Sequence, residues 1–100
     1  MKLNILIKKY YSSNDFNMLR DKSKQDYKYF LNILSQEFGS QTCEQITSKQ
    51  AKHSYEEWVK RGITFANYLC TCSSRVFRYG IDMEYVTNNP FGNIRRKTPI

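Results

Sequence analysis

Side chains of the types that catalyse reactions or bind metals occur in this 100-residue chain, but their spacing fits neither use. General acid–base catalysis by His53 would need an orienting partner and a cleft, and the charged residues around it indicate a solvent face. The adjacent Glu56 and Glu57 diverge around a helix and cannot pair as acid and base. Cys70 and Cys72 point about 200° apart on a helix of 3.6 residues per turn, which fits neither a redox pair nor a zinc site. We therefore expect no catalytic centre, no metal and no cofactor.

The charge distribution predicts a different chemistry, the binding of a polyanion. Sixteen basic and nine acidic residues give a net charge of +7 and a pI near 9.4. Residues 1–30 contain seven basic and three acidic residues, a net +4, and residues 61–100 contain six and two, again +4. Residues 31–60 contain three and four, a net −1. Basic flanks around a near-neutral middle indicate one positive face, as nucleic-acid-binding proteins have.

The elements that must position this face are helices. Apolar periodicity predicts an all-α, compact four-helix bundle. The first helix is expected over residues 3–12, although its apolar start also fits a strand, and residues 12–15 can cap a single turn through Leu19. The second helix is expected to run to Phe38, the third from Thr47 to Gly62 and the fourth from about Thr64 to Met83. Asp21 or Ser23 is expected to cap the second helix, and Gly39 to end it in the left-handed conformation. Thr47 and Gln50 have the spacing of a capping box at the start of the third helix.

The fourth predicted helix separates small and apolar residues from polar and basic ones. We expect its buried face to pack on its neighbours and Trp58 of the third helix to be buried against Tyr55 and this helix. The residues expected to face inward are Ala66, Leu69, Cys70, Ser73, Val76, Phe77, Gly80 and Ile81. The opposite stripe consists of Asn67, Thr71, Ser74, Arg75 and Arg78.

The domain limits follow from the end of this periodicity. Asn88-Asn89-Pro90 stops any further helix, so residues 1–92 are expected to form one domain. Residues 93–100 are expected to be an extended basic linker with Arg95, Arg96 and Lys97.

Cysteine content and hydropathy bear on the compartment. With Cys43 the cysteines are odd in number, which predicts buried thiols in a reducing cytoplasm. No apolar run approaches the roughly 18–20 residues that cross a bilayer, and the apolar residues 3–7 are too few for a signal peptide. We therefore expect a cytoplasmic protein that does not contact membranes.

Residues 23–90 contain a series of short motifs: Ser23-x-x-x-Tyr27, Phe38-Gly39, Ile46-Thr47, Ala66-Asn67 with Val76-Phe77-Arg78-Tyr79, and Val86-Thr87-Asn88-Asn89-Pro90. In order and spacing these motifs resemble the core-binding, SAM-like domain of phage-type tyrosine recombinases, the integrases. Tyr68, Ser73, Gly80 and Glu84 depart from the family's usual Arg, Leu, Ala and Gly. The resemblance implies that the chain is the part of a bacterial integrase that binds double-stranded DNA without cutting it. Residues 93–100 would then lead to a catalytic domain, and other recombinase protomers would be partners.

Candidate DNA contacts lie at two helix surfaces. Backbone amides at the start of the second helix favour a phosphate, and Asn and Arg can read adenine and guanine edges from a helix in the major groove. We expect a phosphate role for Arg78 and a base-edge role for Asn67. The candidate set is Lys22, Ser23, Lys24, Asn67, Thr71, Ser74, Arg75 and Arg78.

Two other functions fit parts of the same pattern. A helix-turn-helix regulator would use residues 60–63 as the turn before a recognition helix. A helical protein–protein adaptor would present an exposed apolar patch and bind no DNA.

The isolated chain is expected to be a monomer, associated with the nucleoid when it binds DNA.

Overall fold

The computed structural model describes residues 1–99, and over this range the chain is helical with a single isolated β-bridge between Lys2 and Thr42. The radius of gyration is 12.7 Å, about the value of a folded domain of this length. The prediction of an all-α bundle built on four main helices is confirmed, with a one-turn helix and a 3₁₀ turn added. The elements are α1 (Leu3–Tyr11), α2 (Asn14–Asn17), α3 (Asp21–Phe38), the 3₁₀ turn (Cys43–Gln45), α4 (Ser48–Val59) and α5 (Ile63–Asp82).

The helix ends confirm one capping prediction and correct two. At α4, the Thr47 hydroxyl accepts the Gln50 N–H at 3.1 Å and the Gln50 side chain accepts the Thr47 N–H at 3.0 Å, as the capping-box spacing predicts. The predicted caps of α3 are wrong, because Arg20 precedes the helix without a side-chain cap and Asp21 lies inside the first turn. Gly39 is right-handed, with φ −59°, because α3 ends on a bond from its N–H to the Ser35 carbonyl.

α5 lies at the centre of the fold and contacts α1, α3 and α4. Its inward face differs from the prediction at two positions. Cys72 is also buried, and Ile81 is 37 % exposed because it follows the last buried position, Gly80. A Cβ on Gly80 would lie 2.8 Å from Val86 Cγ2 and 3.1 Å from Leu6 Cδ2, so the absence of a side chain at this position leaves no void. Close approach by α1 and the chain after α5 fills that space instead.

The chain after α5 returns to the core through Phe91. Glu84 adopts a left-handed φ of 63°, and the Gly80 carbonyl accepts the Tyr85 N–H at 2.8 Å, which turns the chain back. Phe91 is 2 % exposed, with its ring stacked on Trp58 at 6.0 Å between centroids and 5.7 Å from the ring of Phe77. Trp58 is buried as predicted, and its contact with Phe91 was not anticipated. The first residue of the segment 91–99 is therefore part of the core.

Candidate nucleic-acid interface

The polar stripe of α5 is presented on one side of the helix, as its sequence pattern predicts. At 100° per residue, positions 67, 71, 74 and 78 fall within about 60° of one another, and position 75 lies at the edge of the same sector. Arg75 and Arg78 are exposed, whereas Asn67, Thr71 and Ser74 are half-buried. The stripe is thus divided into a half-covered part and an open part.

Asn67 is engaged by the C-terminal segment in a closed set of three hydrogen bonds. The Tyr55 hydroxyl of α4 donates to Asn67 Oδ1 at 2.6 Å and accepts the backbone N–H of Lys97 at 2.8 Å. Asn67 Nδ2 donates to the carbonyl of Lys97 at 3.0 Å. Both backbone polar groups of Lys97 are therefore held by a pair of side chains from α4 and α5.

Thr71 and Ser74 are also hydrogen-bonded to the returning chain. The Arg96 guanidinium donates to Thr71 Oγ1 at 2.6 Å, and Asn89 Nδ2 donates to Ser74 Oγ at 2.8 Å. The Asn89 side chain also accepts the Phe91 N–H at 3.0 Å. The predicted contact residues of the first half of the stripe therefore bind residues 89–97, a pairing that helical periodicity does not indicate.

Arg75 and Arg78 line the open half of the stripe. Within residues 1–99 neither side chain lies within 4 Å of a carboxylate. They border a polar pocket of about 240 Å³ whose other lining residues are Tyr10, Asp15, Tyr79 and Asp82. Two exposed guanidinium groups on one helical face, without a short ion pair, can bind phosphates.

The Tyr10 hydroxyl beside this pocket is buried without a hydrogen-bond partner in the described chain. Burial raises the pKa of Tyr10 to about 12, and the neighbouring Tyr27 adds to the rise while Arg75 opposes it. The phenol is therefore protonated at neutral pH.

The second turn of α3, at Tyr27, lies beside the middle of α5. The Arg75 guanidinium lies 6.0 Å from the centre of the Tyr27 ring, and the rings of Tyr27 and Tyr68 are 6.1 Å apart. Burial raises the pKa of the Tyr68 phenol, and the charges of Lys22 and Arg75 both oppose that rise. Lys22 of α3 and Arg75 of α5 therefore both act on Tyr68, against the opposite effect of Asp26.

The three predicted contacts on α3 differ in exposure. Lys22 is extended into solvent and forms an ion pair with Asp26 at 2.8 Å, while Ser23 and Lys24 are half-buried. The hydrogen bond to Asp26 is the main cause of the raised pKa of Lys22. Lys22 and Ser23 lie in the first turn of α3, where backbone N–H groups lack helical acceptors. The Lys24 N–H is already bonded to the Arg20 carbonyl at 2.9 Å.

The predicted basic linker is docked and exposes its charged groups. Arg95, Arg96 and Lys97 are all exposed, and the Lys97 ammonium lies 3.6 Å from a Glu56 carboxylate oxygen. The final residue of the predicted linker, Ile100, lies outside the described residues. The segment thus adds cations beside the first half of the α5 stripe.

A second polar cluster, absent from the sequence-based predictions, joins α3 to α4. The Glu37 carboxylate accepts the Ser54 hydroxyl at 2.7 Å and the Trp58 indole N–H at 2.9 Å. His53 is exposed nearby, as predicted. Trp58 needs a partner for its indole N–H when buried, which was the one signal that could have suggested an acceptor on a neighbouring helix.

The remaining chemical groups lie in the interior. All three thiols are free and buried, as predicted, and burial raises the pKa of Cys43 to about 11 and that of Cys72 to about 12. Among residues 1–99, no group of three or more His, Cys, Asp or Glu side chains is placed to hold a metal ion. Across the same range, no helix combines the length and the apolar character that a membrane span requires.

Comparison of the chain with protein-family models, with curated proteins and with solved structures gives no match.

Proposed function

We propose that this chain is a non-catalytic DNA-binding domain of the core-binding kind found in tyrosine recombinases, acting on double-stranded DNA during integration or recombination. The observation that supports this most is the convergence of cations from three elements on the exposed side of α5. Arg75 projects from α5, Arg96 of the C-terminal segment hydrogen-bonds Thr71 of that helix, and the charge of Lys22 on α3 acts on the pKa of Tyr68. A duplex backbone is the polyanion that such a surface fits.

Binding would rest mainly on phosphates. Arg75 and Arg78 project from one side of α5 and are unpaired with carboxylates in the described chain, so they can approach a strand without breaking an ion pair. Each phosphate neutralised contributes about −0.9 to the slope of log K against log salt. The backbone amides at Lys22 and Ser23 offer a further phosphate site. A base-edge contact by Asn67 would require Lys97 to leave first.

In a parent recombinase, this domain would act with a catalytic domain and with other protomers. A tethered second DNA-binding domain raises the effective local concentration and supplies affinity that a small surface lacks. The isolated chain is proposed to be monomeric and cytoplasmic, located at the nucleoid through its DNA.

A helix-turn-helix regulator is the second candidate, favoured by the α4–α5 connection. Only residues 60–62 separate these helices, and Gly62 makes the turn with φ +136°. In that motif the recognition helix contacts bases with its first residues, which here are next to Asn67. The two candidates share α5 as the DNA-facing helix and differ in which part of it touches bases.

The groove between α1 and α3 favours a third candidate, a protein-binding adaptor. It has a volume of about 780 Å³, and its walls include Ile5 and Tyr29, both well exposed. An adaptor predicts no salt-dependent affinity for DNA.

The deciding experiment is a fluorescence-anisotropy titration of labelled duplex DNA at several salt concentrations. We expect salt-sensitive binding, and we expect Arg75→Ala and Arg78→Ala each to weaken it about fivefold at about 0.15 M salt and to reduce the salt slope by about one. Lys49→Ala on α4 removes the same charge away from the α5 stripe and should leave affinity nearly unchanged, as should His53→Ala.

Three results would contradict the proposal. Binding with no salt dependence would exclude a phosphate-dominated grip. Equal losses in the Lys49 and Arg78 variants would mean that only net charge matters. A wild-type chain without DNA affinity would leave the adaptor as the better function.

A further inference from the structure

Tyr55 and Asn67 bind the backbone of Lys97 and make no hydrogen bond to its side chain. One N–H and one carbonyl of the same residue are bound by two side chains that also bind each other, at 2.6–3.0 Å. Tyr55 is 1 % exposed, so its hydroxyl can reach the C-terminal segment but not a ligand on the surface. The site therefore fixes the position of residue 97 whatever its side chain.

Fixing Lys97 also fixes the residue before it. The Arg96 guanidinium lies against Thr71, and its charge opposes the burial-driven rise in the pKa of Cys70 in the adjacent position of α5. Thr71 lies one turn before Arg75 and two turns before Arg78 on the same side of the helix. With a rise of 1.5 Å per residue, positions 71, 75 and 78 extend over about 10 Å.

We infer that Tyr55 and Asn67 anchor the C-terminal segment so that Arg96 becomes the third arginine of one phosphate-binding row with Arg75 and Arg78. Asn67 is then a positioning residue and not a reader of base edges. The anchor itself rests on the geometry alone, and the ligand of the row rests on the proposed DNA-binding function.

Alternative uses of the same contacts make opposite predictions. If the segment covered the binding face, releasing it would strengthen DNA binding. If Asn67 read a base, removing the Tyr55 hydroxyl that binds its side chain would weaken DNA binding equally with and without Arg96. An anchor makes Tyr55 matter only because Arg96 is there to be positioned.

The test is a double-mutant cycle in the full chain with Tyr55→Phe, which keeps the buried ring, and Arg96→Gln, which removes the charge. We expect Arg96→Gln to weaken duplex binding about fivefold at about 0.15 M salt and to reduce the salt slope by about 0.9. Tyr55→Phe should weaken binding about two- to fivefold. The double variant should bind like Arg96→Gln alone, because coupled residues are not additive.

Amide hydrogen exchange at Lys97, measured without DNA, tests the anchor separately from the function. We expect Tyr55→Phe to accelerate this exchange about threefold to tenfold, since it removes the acceptor of the Lys97 N–H. Unchanged exchange would overturn the anchor even if DNA binding is confirmed. Faster exchange in a chain without DNA affinity would keep the anchor and overturn the arginine row along with the proposed function.

The cycle has two further outcomes that would overturn the inference. Tighter DNA binding by the Tyr55→Phe variant would show that the C-terminal segment covers the binding face. Equal losses from Tyr55→Phe in the presence and absence of Arg96 would mean that the hydroxyl acts on binding by another route.

Discussion

The two halves of the α5 stripe look alike in sequence and differ in the fold. Asn67, Thr71 and Ser74 each form a side-chain hydrogen bond to residues 89–97. Arg75 and Arg78 are exposed and make no ion pair within the described chain. The first half is therefore committed to holding the C-terminal segment, whereas the second half is open to a partner.

A polar stripe on an amphipathic helix is therefore not by itself a ligand-binding face. Small polar side chains, such as amides and hydroxyls, satisfy the backbone of a chain that crosses them. Long cationic side chains extend beyond such a chain into solvent. Side-chain length and charge thus separate structural from ligand-facing positions better than polarity does.

The largest expected effect comes from removing the aromatic group that seats the C-terminal segment. Phe91→Ala should lower the free energy of unfolding by about 3–5 kcal/mol, because it empties a site enclosed by the rings of Phe38, Trp58 and Phe77. A small domain holds about 5–15 kcal/mol in total. Urea denaturation followed by Trp58 fluorescence measures the change.

The matched control for this substitution is Met18→Ala, since Met18 is 85 % exposed. It should change the unfolding free energy by less than about 0.5 kcal/mol. A loss for Phe91→Ala as small as this would show that residues 89–97 are not held by the core, and the contrast between the two halves of the stripe would disappear.

A smaller effect is expected from the polar link at Ser74. Asn89→Ala should cost about 1–2 kcal/mol, because it removes the donor to Ser74 Oγ and the acceptor of the Phe91 N–H. Combined with Ser74→Ala, it should show a coupling energy of about 0.5 kcal/mol or more. The exposed neighbour Asn88 provides the control. If the stability losses of the two substitutions were strictly additive in thermal melts, Ser74 would not be one of the residues that hold the C-terminal segment.

The smallest stability effect should occur in the open half. Arg78→Ala should change the free energy of unfolding by less than about 0.5 kcal/mol, since an exposed side chain without an ion pair contributes little. Chemical denaturation at low and high salt would measure it. A salt-dependent loss above about 1 kcal/mol would indicate that Asp15 or Asp82 pairs with Arg78 in solution, and would place Arg78 with the structural residues.

Sequence reasoning predicted the helices and the composition of the α5 stripe, because both depend on local signals. The bounds of α1 and α5 were predicted to within one residue at each end, and the Thr47–Gln50 capping box was confirmed. Local signals failed where several residues can serve one purpose. The start of α3 at Asp21 needs no side-chain cap, although Ser23 and Asp21 are both common capping residues.

The docking of residues 89–97 could not be predicted in the same way. Asn67 and Lys97 are 30 positions apart, and their hydrogen bonds involve the backbone of Lys97, whose polar groups are the same in every residue. Charge composition indicated an extended basic linker, and only Phe91, an apolar residue just after Pro90, marked the segment as part of the core. The sequence therefore predicted the composition of the α5 stripe but not the segment that covers its first half.

The reactivity of the three buried thiols can report local unfolding at three different places in the domain. Cys43 lies under the N-terminal edge, where its N–H bonds to the Met1 carbonyl, and Cys70 lies under the docked segment with its sulfur 3.8 Å from the Phe91 carbonyl. Cys72 lies toward α1 and α3, where its charge would act on Tyr10 and Tyr27. Since thiolates are the reactive form and burial suppresses them, each sulfur reacts with an alkylating reagent only when its own edge opens. The order in which the three cysteines are labelled therefore gives the order in which these regions unfold.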